Sequence, residues 1–260
     1  KETFHNVQTR RINPDLAKSM RPVTDAELRA ALTRLGKNKS GGPSQLTAEM
    51  LVHASPTAQK EFLLPFVNEC IRHQNTPVFT KNFNVWLIEK TKGVGPILHP
   101  TNKLDVRPIS LFEVSFKLVE TILATRINDA IAPKLNPAQH AFLAIRSVVD
   151  AIVTYTMIME DAHQYHKEIH ISNNDCTQAY DAVPPWAMRA IYSYHGFPPE
   201  LINMLINMDA NMKGRVLTAH GAGDEWTKTC GLGQGSVLAP LKWNLFLDPL
   251  LNRLQTTRDP

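Results

Sequence analysis

The chain has 260 residues, 43 % of them hydrophobic, enough to enclose the core of one large domain or of two lobes. No apolar run reaches the length needed to cross a bilayer, and the opening KETFHNVQTRRINPD has no signal-peptide core. A membrane protein is therefore not expected, and a soluble intracellular one, nuclear or cytoplasmic, is. The net charge of +4 is uneven: residues 1–40 hold nine Lys and Arg against Glu2, Asp15, Asp25 and Glu27, leaving the rest close to neutral. Such a basic lead suits contact with phosphates, and equally suits a solvated end.

Cys70, Cys176 and Cys230 are odd in number and far apart, fitting neither a disulfide framework nor a zinc knuckle. His163, His166 and His170 stand at helical spacing, but His170 begins a strand-like stretch, so a solvated surface is expected there rather than a metal site. The chain begins without Met and ends soon after a helical pattern, so both ends are read as cut.

In chain order, Thr24 and Glu27 form a T-x-x-E capping box that opens a helix reaching about Leu35. It stops in KNKSGGPS, where Gly41, Gly42 and Pro43 impose a loop. A helix over 58–73 places Leu63, Phe66, Val67 and Cys70 on one side. Residues 84–90 (NVWLIEK) read as a strand, and around RPISL (107–111) the chain turns into a long helix reaching about Ile131. A helix follows from Ser147 to Ala162. KEIHISN (167–173) alternates Ile169 and Ile171 as a strand would. Pro184 and Pro185, then Pro198 and Pro199, open two further helices. RVLTAH and EWTKTC around GAGD form a hairpin, and a last helix runs from about Ser236 to Leu254. Helices first and mixed elements later argue an α+β protein in two lobes.

Two stretches carry chemistry. Nucleotidyl transfer needs divalent metals held by carboxylates at a strand end, with the next residues admitting a triphosphate. DCTQAYDAV (175–183) has that form: Asp175 ends the strand pattern and Tyr180 follows where the chain turns back, although an Asp there is also an ordinary turn residue. In GLGQGSVLAP (231–240), three glycines and a Gln at a strand-to-helix junction let backbone and a flat amide lie against a planar ligand. Ser236 would then cap a helix carrying Val237, Leu241, Leu245 and Phe246 into the core. An ordinary Gly-rich turn before a buried helix fits as well.

Six blocks in one order resemble the reverse transcriptase (RNA-directed DNA polymerase) domain of non-LTR retrotransposons. KNKSGGPSQL is similar to the family's Lys-x-x-Gly-Pro-Asp-Gly-Ile block, and WLIEK with VRPISL to its first fingers motif. FKLVETILATRI (116–127) is similar to the helix after that motif. LNPAQHAFLAIRSVVDAI (135–152) resembles the Gln-x-Gly-Phe-Arg block, and DCTQAYDAV and GLGQGSVLAPLKWNLFLD resemble the first two palm motifs. The resemblance implies a right-hand polymerase: a basic segment with a leading helix over 1–36, helical fingers over 37–166, and the first part of an antiparallel-sheet palm over 167–260, without a thumb.

It also implies roles. Asp175 would be a catalytic ligand of Mg2+ or Mn2+, with the Cys176 carbonyl beside the second ion. Tyr180 would pack under the incoming sugar and exclude a 2′-hydroxyl. Gln234 and Gly235 would contact nucleotide and template. Lys90, Arg107 and Arg146 would neutralise the triphosphate, although solvated surface charge is their plain alternative. Asp181 is read as a turn residue, and Asp248 has no catalytic counterpart. The implied partners are an RNA template, a DNA primer and deoxynucleoside triphosphates.

Departures from the family pattern are Ser44 for Asp, Ala141 and Leu143 for Gly and Arg, and Asn174 for an apolar residue. A Phe/Tyr-x-Asp-Asp hairpin, which carries the family's other catalytic carboxylates, does not occur in the sequence. A decayed or domesticated copy that only binds nucleic acid is the alternative.

Overall fold

The structure is a computed structural model and describes residues 11–89 and 106–256. Helix α1 (Pro14–Ala17) leads into α2 (Asp25–Arg34). The capping box read from Thr24 and Glu27 is formed: the Glu27 amide donates to Thr24 Oγ1 at 3.3 Å, and the Thr24 amide donates to the Glu27 carboxylate at 3.1 Å. After the loop come α3 (Ala48–Val52), α4 (Pro56–Ala58) and α5 (Leu64–Arg72). The single helix expected over 58–73 is interrupted by a wider π turn at Gln59–Leu63. Pro65 explains this, because it has no N–H for the Glu61 carbonyl and its ring crowds that turn.

Strands β1 (Asn82–Glu89) and β2 (Val106–Phe112) pair antiparallel, with Asn84 opposite Leu111 and Ile88 opposite Arg107. RPISL is thus itself a strand, and the long helix α6 (Val114–Ile131) begins just after it. Pro108 is tolerated because β2 lies at the sheet edge, where a missing ladder donor costs little. Strand β3 (Lys213–Thr218) pairs parallel to β1 and antiparallel to both β4 (Gly221–Ala222) and β5 (Trp226–Thr227). The expected hairpin is present. The sheet order is β2-β1-β3-β4, so the sheet is mixed rather than antiparallel throughout.

Helix α6 is the centre of the core. Phe116, Leu118, Val119, Leu123 and Ile127 on it are fully enclosed, and a helix apolar on nearly every side has to be. Phe116 stacks on Phe112 of β2 at 5.7 Å, and Phe112 meets Phe83 of β1 at 5.1 Å, so one aromatic row joins helix to sheet. Arg126, near the other end of α6, is inserted under α2. It donates to both oxygens of Glu27 at 3.0 and 3.1 Å and to the carbonyls of Ser19, Arg21 and Pro22.

Helix α7 (Val148–Gln164) starts with Ser147 and Asp150 in a second capping box. Its apolar side chains, Ile152, Val153, Met157 and Ile158 among them, stay exposed, and Ala162 is its buried residue. The strand expected at 167–173 is not formed. A strand is stable only when a neighbour takes its backbone donors and acceptors. No described strand pairs with this stretch, and Ile169 and Ile171 remain 36 % and 47 % exposed.

Helices α8 (Pro185–Tyr194), α9 (Pro199–Asp209) and α10 (Ala239–Thr256) complete the core. Helix α10 starts three residues later than expected, and Val237 is exposed rather than part of the core. Pro249 cannot donate to the Leu245 carbonyl, which instead sits 3.1 Å from His195 Nε2. A carbonyl only accepts, so that ring nitrogen carries the proton. No helix among the described residues is long and apolar enough to cross a membrane.

Burial works to raise the Glu27 carboxyl, but the hydrogen bonds from Arg126 and Arg21 outweigh it and hold the pKa at about 2, against 4.5 ordinarily. A carboxyl depressed on folding adds stability that is fully present above the ordinary value and is lost as pH falls towards the folded one. Replacing Glu27 by Gln is expected to destabilise the chain by roughly 1–3 kcal/mol near neutral pH, as for one partner of a partly exposed, charge-assisted hydrogen-bonded pair. Urea melts of both proteins between neutrality and pH 2 should show the gap narrowing through the acid range; a gap independent of pH would contradict the assignment.

Candidate active site

The two stretches read as chemistry-bearing meet in the structure, though not at Asp175. Residues 177–182 form a tight turn closed by the Ala182 amide on the Gln178 carbonyl at 2.9 Å, with Gln178 at a φ of 53°. Within this turn and just after it the chain is tied to the Gly-rich loop. The Leu232 amide donates to the Tyr180 carbonyl at 2.8 Å, and the Gly231 amide to the Val183 carbonyl at 3.0 Å. Gly231 has a φ of +82°, and a Cβ there would lie 2.9 Å from Asp181 Cα, so a side chain would push the two segments apart.

The middle of the loop rests on the edge strand. The Ser110 amide of β2 donates to the Gln234 carbonyl at 2.6 Å. Gly235 has a φ of +119°, and a Cβ on it would collide with the Ser110 carbonyl oxygen. The loop then enters the core. Ser236 Oγ donates to Glu120 Oε1 at 2.5 Å, and the Val237 amide donates to Glu120 Oε2 at 2.9 Å. Ser236 therefore does not cap α10 as expected; its hydroxyl is spent on a buried carboxylate of α6. Burial raises the Glu120 carboxyl above its ordinary value.

A second buried charge supports the same region. Lys242 in the first turns of α10 is 2 % exposed in its side chain and donates to both Asp209 oxygens at 2.7 and 2.8 Å. Asp209 ends α9, where a carboxylate opposes the helix dipole, and the Lys242 ammonium offsets this. Lys81 donates to the Asn207 and Ala210 carbonyls at the same helix end. Lys228, half-buried beside Met212, is pulled below the ordinary lysine range by burial. An open cavity of about 240 Å3 lies behind the tie, with mainly apolar walls that include Val183, Met188, Ile206 and Leu232.

Asp175 and Cys176 are exposed and lie in a stretch without regular structure, so Asp175 does not end a strand. The Asp175 carboxylate makes no hydrogen bond or ion pair with the described residues and is open to a cation. No group of three His, Cys, Asp or Glu side chains fit to hold a metal occurs among the described residues. Tyr180 is half-buried, its ring 6.0 Å from Trp243, which stacks on Phe246; burial raises its hydroxyl pKa.

Gln234 is half-buried, Gly235 is exposed, and both lie against Ser110. Arg107 is exposed on β2, three residues from Ser110. Lys90 lies outside the described residues. Arg146 is occupied elsewhere: its Nη1 donates to the Asn136 and Gln139 carbonyls and its Nη2 to the Leu135 carbonyl. It thereby braces the 135–143 loop, which Asn244 and Asp248 of α10 hold through the Ala141 carbonyl and the Asn136 amide. Asp248, fully buried, is thus a structural acceptor. Ser44 has a similar part, since its amide and hydroxyl both donate to Glu113, just ahead of α6.

Sequence reasoning missed Ser110, Glu120 and Trp243. Glu120 left a signal: it is an acid in the middle of the apolar run VETIL, on a helix with little polar face.

A reverse transcriptase (RNA-dependent DNA polymerase) family model matches residues 90–258, well over half of the chain. The chain belongs to the reverse transcriptase family. It is 25 % identical over 235 residues to the retrovirus-related Pol polyprotein from the type-2 retrotransposable element R2DM of Drosophila melanogaster, a match covering 89 % of this chain and 21 % of that protein. It is 23 % identical over 245 residues to the Pol polyprotein from a type-1 retrotransposable element R2 of Nasonia vitripennis, covering 94 % of this chain and 22 % of the relative. The transposon TX1 149 kDa protein of Xenopus laevis is 22 % identical over 236 residues, covering 88 % of this chain and 17 % of its own length. This reverse transcriptase domain thus spans about a fifth of the length of the curated relatives it matches, and the resemblance to non-LTR elements stands.

The loop geometry can be checked directly. Gly235→Ala should destabilise the domain by about 1–3 kcal/mol, because it forces a side chain into a sparsely populated backbone region against a carbonyl. Amide exchange at Ser110 should quicken in the same variant. Coincident melts and unchanged exchange would mean that the loop does not rest on β2 as described.

Proposed function

We propose that this domain contributes the fingers and the first part of the palm to an RNA-directed DNA polymerase of a mobile element. Residues 37–166 make up the fingers, 167–260 the partial palm, and 1–36 a basic lead. Its partners are an RNA template, a DNA primer and deoxynucleoside triphosphates. The observation that carries this reading is the joining of the Tyr180 turn to the Gln234 loop against the Ser110 strand. Segments far apart in sequence are thereby joined, and they carry an aromatic ring, a flat amide and an exposed cation, Arg107. In this reading the family's divalent ion, Mg2+ or Mn2+, is held in part by Asp175 and the Cys176 carbonyl and supplies charge neutralisation of the triphosphate. Gln234 and Gly235 position nucleotide and template. Lys90 and Arg107 bind phosphate oxygens, and Arg146 serves the site by bracing the loop beneath it. Of the basic lead, Lys18, Arg21 and Arg29 are already paired with Asp15, Glu27 and Asp25, so fewer free charges reach a phosphate backbone than the composition implies.

Tyr180 is the sugar gate in this reading. Trp243 backs its ring, so the ring can resist a 2′-hydroxyl rather than swing away from it. In a polymerase that joins this domain to the remaining metal carboxylates, Tyr180→Val should raise relative ribonucleotide use by about tenfold or more, the scale on which a pocket discriminates one small group. Deoxynucleotide use should fall modestly. Asp175→Asn should abolish both together. The check is kcat/KM for both nucleotide types; an unchanged discrimination ratio with intact activity would make Tyr180 ordinary core.

Residues 1–260 alone should extend no primer on an RNA template, because one carboxylate cannot hold two ions. Incorporation that is lost in Asp175→Ala would refute that expectation.

A further inference from the structure

We infer that Glu120 is a positioning residue for the nucleotide site: from the interior of α6 it fixes where Gln234 and Gly235 stand. The inference rests on the proposed nucleotide-contacting role of Gln234. Its basis is that the segment bearing Gln234 is held by anchors on either side and, between them, by the bond from the Ser110 amide to the Gln234 carbonyl. Upstream, the Gly231 and Leu232 amides are fixed on the Val183 and Tyr180 carbonyls. Downstream, Ser236 and Val237 are fixed on the two oxygens of Glu120 at 2.5 and 2.9 Å. Between these anchors stand Gly233, Gln234 and Gly235, with both glycines at positive φ. Glycine restrains its own backbone least, so the one bond to Ser110 does not by itself fix the segment, and its end anchors matter.

A carboxylate is an expensive choice for the inside of an apolar helix. Glu120 is 1 % exposed among Phe116, Val119, Leu123 and other enclosed side chains. Leu there would satisfy helix packing without the several kcal/mol that an enclosed carboxylate costs when unmatched. What Glu offers and Leu does not is a pair of acceptors aimed at the two residues that follow Gly235. The Lys242 and Asp209 pair, and Lys228 beside it, lie near enough to act on the Glu120 charge and belong to the same buried group. A residue needed only for folding would affect stability and all kinetic parameters together. A positioning residue acts selectively on the incoming nucleotide.

The test uses a polymerase that joins this domain to the remaining metal carboxylates, with deoxynucleotide KM, kcat and primer–template Kd measured separately. Glu120→Gln leaves one loop donor facing an amide N–H. It should raise the nucleotide KM by about tenfold, the scale of one charge-assisted hydrogen bond, with kcat changed less than about twofold and primer–template Kd unchanged. Ser236→Ala removes a single bond and should move KM in the same direction by a smaller factor. It also decides the matter if Glu120→Gln does not fold. Gln234→Ala serves as the control for the underlying reading. If it leaves KM unchanged, the role of Gln234 fails and the inference with it. If it raises KM while folded Glu120→Gln and Ser236→Ala do not, only the positioning role is overturned. Equal losses in KM, kcat and Kd would also overturn it, as a general structural effect. In residues 1–260 alone, Glu120→Gln should speed amide exchange at Ser110 while leaving α8 protected; unchanged exchange at Ser110 would count against the inference.

Discussion

Because α6 is apolar on nearly every side, it has to be enclosed, and the enclosure brings the rest of the domain together. The Arg126 end is covered by α2, through a guanidinium whose donors go to Glu27 and to the chain ahead of it. The Phe116 end is covered by the aromatic row of β1 and β2. Glu120, between them, is covered by the Gly-rich loop. The same helix therefore sets the height of the edge strand and of the loop that rests on it. The relation between Ser110 and Gln234 follows from burying one helix.

The polar interior is arranged so that each buried charge is answered. Glu120 has two donors, Lys242 has Asp209, Arg126 has Glu27, and Asp248 has the Asn136 amide and Asn252. All four join segments distant in sequence, and each involves α6 or α10. Such pairs add little net stability over apolar packing, yet losing one partner is costly, so they fix register more than they add strength. Register matters here, since a strand, a turn and a loop that have no covalent reason to align are brought together.

Helix α7 is the exception to this enclosure. Helix α7 and the stretch after it leave a broad run of Val, Ile and Met side chains exposed, and Asp175 stands at the end of that stretch.

Much was legible in the sequence where the cause is local. Thr24 and Glu27, Ser147 and Asp150, and the Pro-Pro pairs set helix starts because caps and fixed φ values act over three or four residues. The order of motif blocks named the family and the two stretches that meet. Tertiary structure alone decided the rest. The alternation of Ile169 and Ile171 did not make a strand, since pairing needs a neighbour and not merely a pattern. Ser236 looked like a cap and became a ligand of Glu120, because a hydroxyl takes whichever partner the fold brings within reach. Arg146 looked like a phosphate contact and instead holds three carbonyls of its own loop. Side chains whose roles depend on a distant partner carry no local signature of that partner, and these were the residues whose parts only the folded chain could assign.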